Sequence, residues 1–152
     1  DIVCYKFLRK VPYKGKRFSG FWSSPFRSHK WVMNQLETVE LEPYPYDREH
    51  HVAEYHDVEV GLHSLVSIAD TYSSMNEYQR ENYYNRKLAV FKCIIPKESK
   101  VYRGVWYSER RKNCGYVSNQ LIVKRKTNIF DNIINKYKMN KLSHGQKLYE
   151  FF

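Results

Sequence analysis

Three closely spaced runs of β-branched and aromatic residues in the second half of the chain set the strongest limit on its fold. They cover Leu88–Ile95, Val101–Trp106 and Tyr116–Lys124, and polar segments separate them. Such residues pack well on a pleated sheet, and a proline ends the first run. The runs predict antiparallel strands, arranged either as an antiparallel sheet or as a β-meander, with a basic hairpin tip at residues 110–112.

The first half of the chain predicts a further strand and two helices. Ile2–Leu8 alternates apolar and polar side chains, as a half-buried strand does. The apolar spacing within His29–Val39 predicts a short helix. A longer helix is expected over Ile68–Arg86, because Ser67 is a suitable N-cap in front of it.

The last predicted element is a C-terminal helix, for which Thr127 is a suitable N-cap. Its apolar face consists of Ile129, Phe130, Ile133, Ile134 and Tyr137. Residues 139–152 are expected to follow as a tail. Together these elements predict an α+β fold, in which the antiparallel sheet or β-meander packs with two or three helices as a single domain over residues 1–138.

Charge is distributed unevenly along the 152 residues of the chain. Residues 1–36 carry eight Lys or Arg against one acid, residues 37–82 two against eleven, and residues 83–152 sixteen against four. The most acidic part, residues 37–59, is predicted to be an insertion or loop. Basic surfaces are the usual footprint of phosphate-bearing partners, so a nucleotide ligand or a nucleic acid is expected. An alternative is that the acidic middle packs beside the basic ends and the remaining charge is solvated surface.

Aromatic residues beside cations give the predicted binding site its second component. The chain contains 14 Tyr, and several lie next to Lys or Arg. Aromatic rings stack on bases while neighbouring cations bind phosphates, although a single Tyr equally often fills a core. The predicted ligand-binding residues are Arg103, Trp106, Tyr107, Arg110, Arg111, Lys112, Tyr116, Ser118, Asn119 and His63.

The sequence lacks the motifs of several enzyme classes. It has no glycine-rich phosphate loop and no Gly-x-Ser-x-Gly segment. His50, His51, His56 and His63 have no spacing that defines a metal site, so we expect neither a metal nor another cofactor. We therefore expect no catalytic residues and no enzymatic activity.

The cysteines and the apolar runs bear on the cellular compartment. The chain has three Cys and no Cys-x-x-Cys spacing, which favours a reducing cytosol over a disulfide framework. Cys4 and Cys93 fall in predicted strands, whereas Cys114 falls in a polar segment and is expected to be the reactive thiol. No apolar run approaches the roughly 18 residues that a membrane span needs, and no membrane is expected as a partner.

Three segments occur in an order that resembles a broad group of small bacteriophage proteins. They are Cys4-Tyr5-Lys6, Gly61-Leu62-His63-Ser64, and Lys92–Lys97 followed by Tyr116–Val123. The order of strand, helix and terminal strands is also similar to the layout of phage proteins that sequester nucleotide signals, such as the Thoeris anti-defence sponges. These resemblances imply a viral protein of the host cytoplasm, and they assign no functional residue because no ligand-binding motif matches residue by residue.

These observations predict a non-catalytic, viral-type binding protein that captures an anionic nucleotide ligand or a host immune nucleotide signal, as a monomer or a homo-oligomer. One alternative is a nucleic-acid binder or an inhibitor of a host defence protein, of anti-CRISPR or DNA-mimic type. Another is an ADP-ribosyltransferase-like enzyme. His63-Ser64, Tyr102-Arg103-Gly104 and Tyr116-Val117-Ser118 resemble short motifs of that class.

Overall fold

The computed structural model describes residues 1–12, 20–24, 29–43, 58–108 and 111–145. In chain order the elements are β1 (Ile2–Pro12), β2 (Gly20–Ser23), β3 (Lys30–Trp31), β4 (Leu36–Thr38), β5 (Glu42–Pro43), β6 (Val58–Val60), β7 (Leu62–Leu65), α1 (Ile68–Ser74), α2 (Glu77–Tyr84), β8 (Leu88–Ile95), β9 (Val101–Ser108), β10 (Arg111–Ser118), β11 (Gln120–Lys126) and α3 (Ile129–Gly145). For residues 106–108, 111–112 and 138–145, among others, the description extends to the backbone alone.

Nine of the described strands form one antiparallel sheet in the order β4-β11-β8-β1-β7-β10-β9, with β2 and β3 attached beside β1. β1 is the central strand, since it pairs with β8 along Ile2–Arg9 and with β7 and β2 on its other side. The predicted α+β class with an antiparallel sheet is confirmed. The β-meander is not adopted, because β1 and β7 lie between β8 and β10 and leave β9–β10 as the hairpin of this region.

Alternation along β1 and β8 gives the sheet two different faces. On one face Cys4, Leu8 and Phe91 pack against Trp31 of β3, and we call it the hairpin face. On the other, the helix face, Phe7 and Val90 pack beneath α1 and α2 with the fully buried Met75. β8 is therefore apolar on both sides, which is why it takes an interior position in the sheet.

The short helix predicted over His29–Val39 is wrong. This segment forms β3 and β4, and between them Asn34 has a φ of 60°, a left-handed conformation that a helix does not contain. Leu36, which the helix would have buried, is 46% exposed. The segment instead places Trp31 next to Trp22 of β2.

The helix expected over Ile68–Arg86 is present as two helices, α1 and α2. Ser67 caps α1 as predicted, since its hydroxyl accepts a hydrogen bond from the Asp70 backbone N–H at 3.0 Å. Met75 is extended and ends α1, and Asn76 then begins α2 with a reciprocal capping box to Gln79. The apolar periodicity of the sequence continues across the break between α1 and α2, so this periodicity does not predict the break.

At α3 the structure corrects the predicted cap and the expected end of the helix. Asn128 is the cap: its side chain accepts from the Asp131 N–H, and Asp131 accepts from the Asn128 N–H. Thr127 donates its hydroxyl to the Val90 carbonyl at 3.1 Å instead. α3 continues to Gly145, past the position where the tail was expected to start, and residues 146–152 lie outside the described chain.

Two further expectations concern Cys114 and the membrane. Cys114 is not in a polar turn but buried within β10, where its backbone N–H donates to Asp70 Oδ1 at 3.2 Å. The expectation that it is the reactive thiol is therefore wrong, since a buried thiol is inert. In the part of the chain that the structure describes, α1 to α3 are all too short or too polar to cross a bilayer.

Candidate functional site

The ten predicted ligand-binding residues lie on three strands and one turn. β9 contains Arg103, Trp106 and Tyr107, and β10 begins at Arg111. Arg110 lies outside the described residues, and the structure gives only the backbone for residues 106–108 and 111–112. The anion site predicted at the tip of the β9–β10 hairpin therefore stays a prediction.

Ser118 and Asn119 serve the turn between β10 and β11. The buried Ser118 hydroxyl donates to the Gln120 carbonyl at 2.8 Å. Asn119 Oδ1 accepts from the Lys100 N–H at 2.8 Å, and the Asn119 N–H donates to the Lys100 carbonyl at 3.1 Å. Because these polar groups hold the turn together, we place both residues outside the candidate site.

His63 is separated from Tyr116 by the sheet itself. It lies opposite Val117 in the β7–β10 pairing, whereas Tyr116 lies opposite Ser64. Neighbouring residues of a strand point to opposite faces, so the His63 ring lies on the helix face. There its Nδ1 is 3.1 Å from the Gly61 carbonyl oxygen.

Four polar residues share the hairpin face on neighbouring strands, and we call them the polar row: Lys6, Ser64, Tyr116 and Arg103. Tyr116 of β10 is opposite Ser64 of β7 on one side and opposite Arg103 of β9 on the other. Tyr5 of β1 is opposite Leu65, which puts Lys6 on the same face as Ser64. The row therefore combines two predicted residues, Tyr116 and Arg103, with two that the sequence analysis missed.

Lys6 extends its amine into the protein interior. Lys6 Nζ donates to the His63 carbonyl at 2.7 Å and lies 5.4 Å from the centre of the Trp31 ring. Among the described residues no carboxylate forms an ion pair with this amine. Burial lowers the pKa of Lys6, and the attraction of the nearby Cys93 and Cys4 thiols offsets this only in part. The amine is thus a half-buried cation that has a carbonyl acceptor but no carboxylate counter-charge among the described residues.

Ser64 provides a hydroxyl beside this amine. Its side chain is 2% exposed, and the hydroxyl makes no hydrogen bond of normal geometry within the described protein. Such orphaned groups are rare in folded proteins, because an unsatisfied buried donor costs about 1–3 kcal/mol. The Ser64 hydroxyl therefore has the capacity to bind a group that is not part of the chain.

Two buried thiols complete the floor of the site. Cys4 and Cys93 are directly opposite each other on β1 and β8. Burial raises the pKa of Cys4, but the Cys93 thiol, the Ser64 hydroxyl and the Lys6 charge outweigh it, and the pKa lies below its usual value. Burial raises the pKa of Cys93 well above its usual value, so this thiol stays protonated. The Lys6 charge is therefore one of the influences that lower the pKa of Cys4.

Tyr116 and Arg103 form the outer part of the polar row. Tyr116 is buried, and burial raises the pKa of its phenol despite the opposing charge of Arg103. Arg103 is exposed at the rim. A ligand on this face would meet the guanidinium first and the Lys6 amine farther in.

An aromatic group adjoins the polar row. Phe91 lies opposite Lys6 in the β1–β8 pairing, and the Trp22 ring contacts Phe91 edge-on at 4.9 Å between centroids. Trp22 is partly exposed, and Lys126 Nζ lies 4.7 Å from its ring centre. A partly exposed aromatic ring with cations beside it is the arrangement that stacks on nucleotide bases and binds their phosphates.

The signal for Lys6 was present in the sequence. In Ile2–Leu8 the alternation places Lys6 between Cys4 and Leu8, on the apolar face of the strand. A lysine at an inward position of an amphipathic strand is uncommon and indicates a functional role or a partner. Ser64 had no comparable signal, because its position depends on the pairing of β7 with β10.

The described residues include no group of three His, Cys, Asp or Glu side chains that could hold a metal ion. Of the histidines weighed as ligands, His50, His51 and His56 lie outside the described residues. No protein-family model, curated protein or solved structure matches the chain. The bacteriophage resemblance therefore stays a prediction, and the polar row and its charges are the features that indicate a function.

Proposed function

We propose that the protein binds a small phosphate-bearing nucleotide at the polar row and holds it without chemical change. One observation carries the proposal: the half-buried Lys6 amine pairs with no carboxylate among the described residues, and it lies on the same face as the buried Ser64 hydroxyl, which makes no hydrogen bond of normal geometry there. A phosphate oxygen accepts hydrogen bonds from both kinds of group and supplies the missing negative charge. Binding would thus remove two unfavourable features of the free protein at once.

The surroundings of the row support a nucleotide over inorganic phosphate. Arg103 adds a second cation, which suits a ligand with more than one phosphate group. The partly exposed Trp22 provides an aromatic surface on the same face of the sheet. A base bound there would leave its phosphates within the reach of the cations of the polar row.

The chemistry of the row favours binding over turnover. General acid–base catalysis needs a group that gives and takes a proton near neutral pH. The row contains an amine, a hydroxyl, a phenol with a raised pKa and a guanidinium, and no carboxylate. Of the two thiols beneath the row, Cys93 is held protonated, and Cys4, whose pKa is lowered, is fully buried in the sheet. These groups donate hydrogen bonds and attract anions, which is sufficient for affinity.

Calorimetric titration with ADP, adenosine and pyrophosphate tests the proposal. ADP should bind more tightly than adenosine or pyrophosphate, since each of those lacks one half of the contacts. Lys6→Met should weaken ADP binding by roughly tenfold to a hundredfold, the range of one charge-assisted contact in a partly buried site. Lys97→Met, which removes an exposed lysine at the β8–β9 turn, is the matched control and should leave the affinity unchanged.

The pH dependence of ADP binding adds a readout specific to Lys6. Phosphate binding requires the charged amine, so affinity should fall as the pH rises through the lowered pKa of Lys6, below the usual lysine value of about 10.4. The ADP affinity of Lys6→Met should not decrease with rising pH in this way. Equal ADP affinity of the wild type and Lys6→Met at neutral pH would exclude the polar row as the site.

A second candidate is an ADP-ribosyltransferase-like activity, and strand pairing is the observation that favours it. The three segments that resemble motifs of that class lie on the neighbouring strands β7, β10 and β9. Ser64 is opposite Tyr116, and Tyr116 is opposite Arg103. Incubation with NAD⁺ distinguishes the candidates. Intact NAD⁺ recovered after heat denaturation fits binding alone, whereas released nicotinamide would establish the enzyme.

A further inference from the structure

Helix α3 is oriented with its apolar side away from the protein. Its largest apolar side chains are exposed: Ile129 by 69%, Phe130 by 70%, Ile133 by 58%, Ile134 by 50% and Tyr137 by 66%. Asp131, in contrast, is 8% exposed. The helix was expected to bury this apolar face, as surface helices of globular proteins do. The opposite orientation therefore needs a physical cause.

Hydrogen bonds fix this orientation. The Asn135 side chain accepts from the Ile68 N–H at 3.0 Å and donates to the Tyr5 hydroxyl at 2.7 Å. Asp131 receives both guanidinium nitrogens of Arg125, at 2.6 and 2.9 Å. Turning the apolar side of α3 inward would break all four contacts and bury their polar groups without partners. The exposed apolar side is thus a consequence of specific inward contacts.

The exposed residues form one stripe along the described part of α3. Positions 129, 133 and 137 are spaced by one turn each, and positions 130 and 134 lie beside them. Contiguous apolar surface of this kind on a basic protein marks a place of interaction. The stripe projects away from the protein, so its side chains can insert into a lipid surface or into a groove of a partner.

The charges around the stripe select the occupant. α3 contains Lys136, Lys138 and Lys141, and its one acid, Asp131, is neutralised by Arg125. Lys92 on the helix face lies close enough to lower the pKa of Asp131 further. A second copy docked through the same stripe would bring two basic helices together, which like charges oppose. An anionic surface is complementary.

We propose that α3 binds the surface of an anionic phospholipid bilayer, with its apolar stripe inserted at the interface and its lysines among the headgroups. A helix with exposed Phe, Tyr and Ile along one side, an exposed Lys136 beside them and two further lysines in its sequence has the composition of such interfacial elements. Each lysine near the surface adds attraction that salt screens. The helix would lie in the interface rather than cross it, in contrast to the expectation that no membrane is a partner.

Co-sedimentation with vesicles tests the proposal. The wild-type protein should pellet with vesicles of phosphatidylcholine containing about one third phosphatidylglycerol, and not with phosphatidylcholine alone, because neutral lipid lacks the charge that adds to the apolar term. Phe130→Ser and Ile133→Ser should each weaken the partition by roughly tenfold, the value of one large apolar side chain removed from the interface. Both residues are exposed, so the fold should not change.

Tyr78→Ser is the matched control, since Tyr78 is a 72% exposed aromatic residue on α2. Its partition onto the anionic vesicles should equal that of the wild type. Absence of pelleting with anionic vesicles would overturn the proposal, and so would equal pelleting of Phe130→Ser and the wild type. Sedimentation velocity without lipid provides a further check. A dimer that Phe130→Ser dissociates would assign the stripe to a second copy and reject the lipid surface.

Discussion

Polar groups lie inside the protein at the polar row, whereas apolar groups lie outside it on α3. The inward polar side chains of α3 have partners: Asn135 and Asp131 make hydrogen bonds on the protein side of the helix. In the polar row, Ser64 has no hydrogen-bond partner of normal geometry among the described residues, and Lys6 has the His63 carbonyl as an acceptor but no carboxylate counter-charge there. Inward polar side chains thus hold α3 in place, whereas those of the polar row are suited to bind a ligand.

The largest expected effect sharpens this comparison at α3. Asn135→Leu removes the acceptor of the Ile68 N–H and the donor to Tyr5, and should lower the free energy of unfolding by about 2–3 kcal/mol. Urea denaturation measures it. Asn132→Leu, on the exposed side of the helix, is the control and should change stability by less than about 0.5 kcal/mol. Equal effects of the two changes would mean that α3 is not held by its polar side.

Lys6→Met should change the free energy of unfolding in the opposite direction. Removing a half-buried amine that pairs with no carboxylate among the described residues should raise the free energy of unfolding by about 1 kcal/mol while it weakens ADP binding. The lowered pKa of Lys6 means that the wild type gains stability as the pH rises through this pKa toward the unfolded value near 10.4. The advantage of Lys6→Met should therefore be full at neutral pH and shrink in alkali. A destabilised Lys6→Met would show that Lys6 is structural.

The ion pair between Asp131 of α3 and Arg125 predicts a change in stability at acid pH. The Arg125 guanidinium lowers the pKa of Asp131 below its usual value, because its effect outweighs that of burial, which raises this pKa. A carboxylate of this kind stabilises the fold above its unfolded pKa, about 3.9, and loses that contribution as the pH falls through the folded pKa. Asp131→Asn should be less stable than the wild type at pH 7, and the difference should vanish in strong acid. A difference that persists there would point to packing instead of charge.

The smallest expected effect concerns the apolar side of α3 in the absence of lipid. Phe130→Ser should change the melting temperature very little, corresponding to less than about 0.5 kcal/mol, because the side chain is 70% exposed. A buried phenylalanine would cost about 3–5 kcal/mol on truncation. A large destabilisation would therefore mean that the stripe is covered in solution.

Local signals in the sequence predicted local structure well. The strands Leu88–Ile95 and Val101–Ser108 and the cap at Ser67 follow from residue type and from neighbours within a few positions. The helix expected over His29–Val39 failed because a left-handed Asn34 leaves no trace in apolar spacing. Local patterns thus identify elements where the residues themselves have a strong preference.

The arrangement of the sheet depends on pairings between distant segments, which no local pattern contains. The β-meander failed because β1 and β7, from the first half of the chain, separate β8 from β10. For the same reason, the sequence predicted only part of the candidate site. Arg103 and Tyr116 belong to one hairpin, whereas Lys6 and Ser64 join them only through the β1–β7–β10 order.

The central position of β1 also has a consequence for synthesis on the ribosome. β1 pairs with β8 from Ile2 opposite Ile95 to Arg9 opposite Leu88, so its main partner is made long after β1 itself. At about 5–20 residues per second, the edge of β1 that β8 covers stays unpaired for roughly 5–20 s. Such strands are prone to associate with other chains. Nascent chains that end before β8 should therefore be the species that aggregate or recruit chaperones.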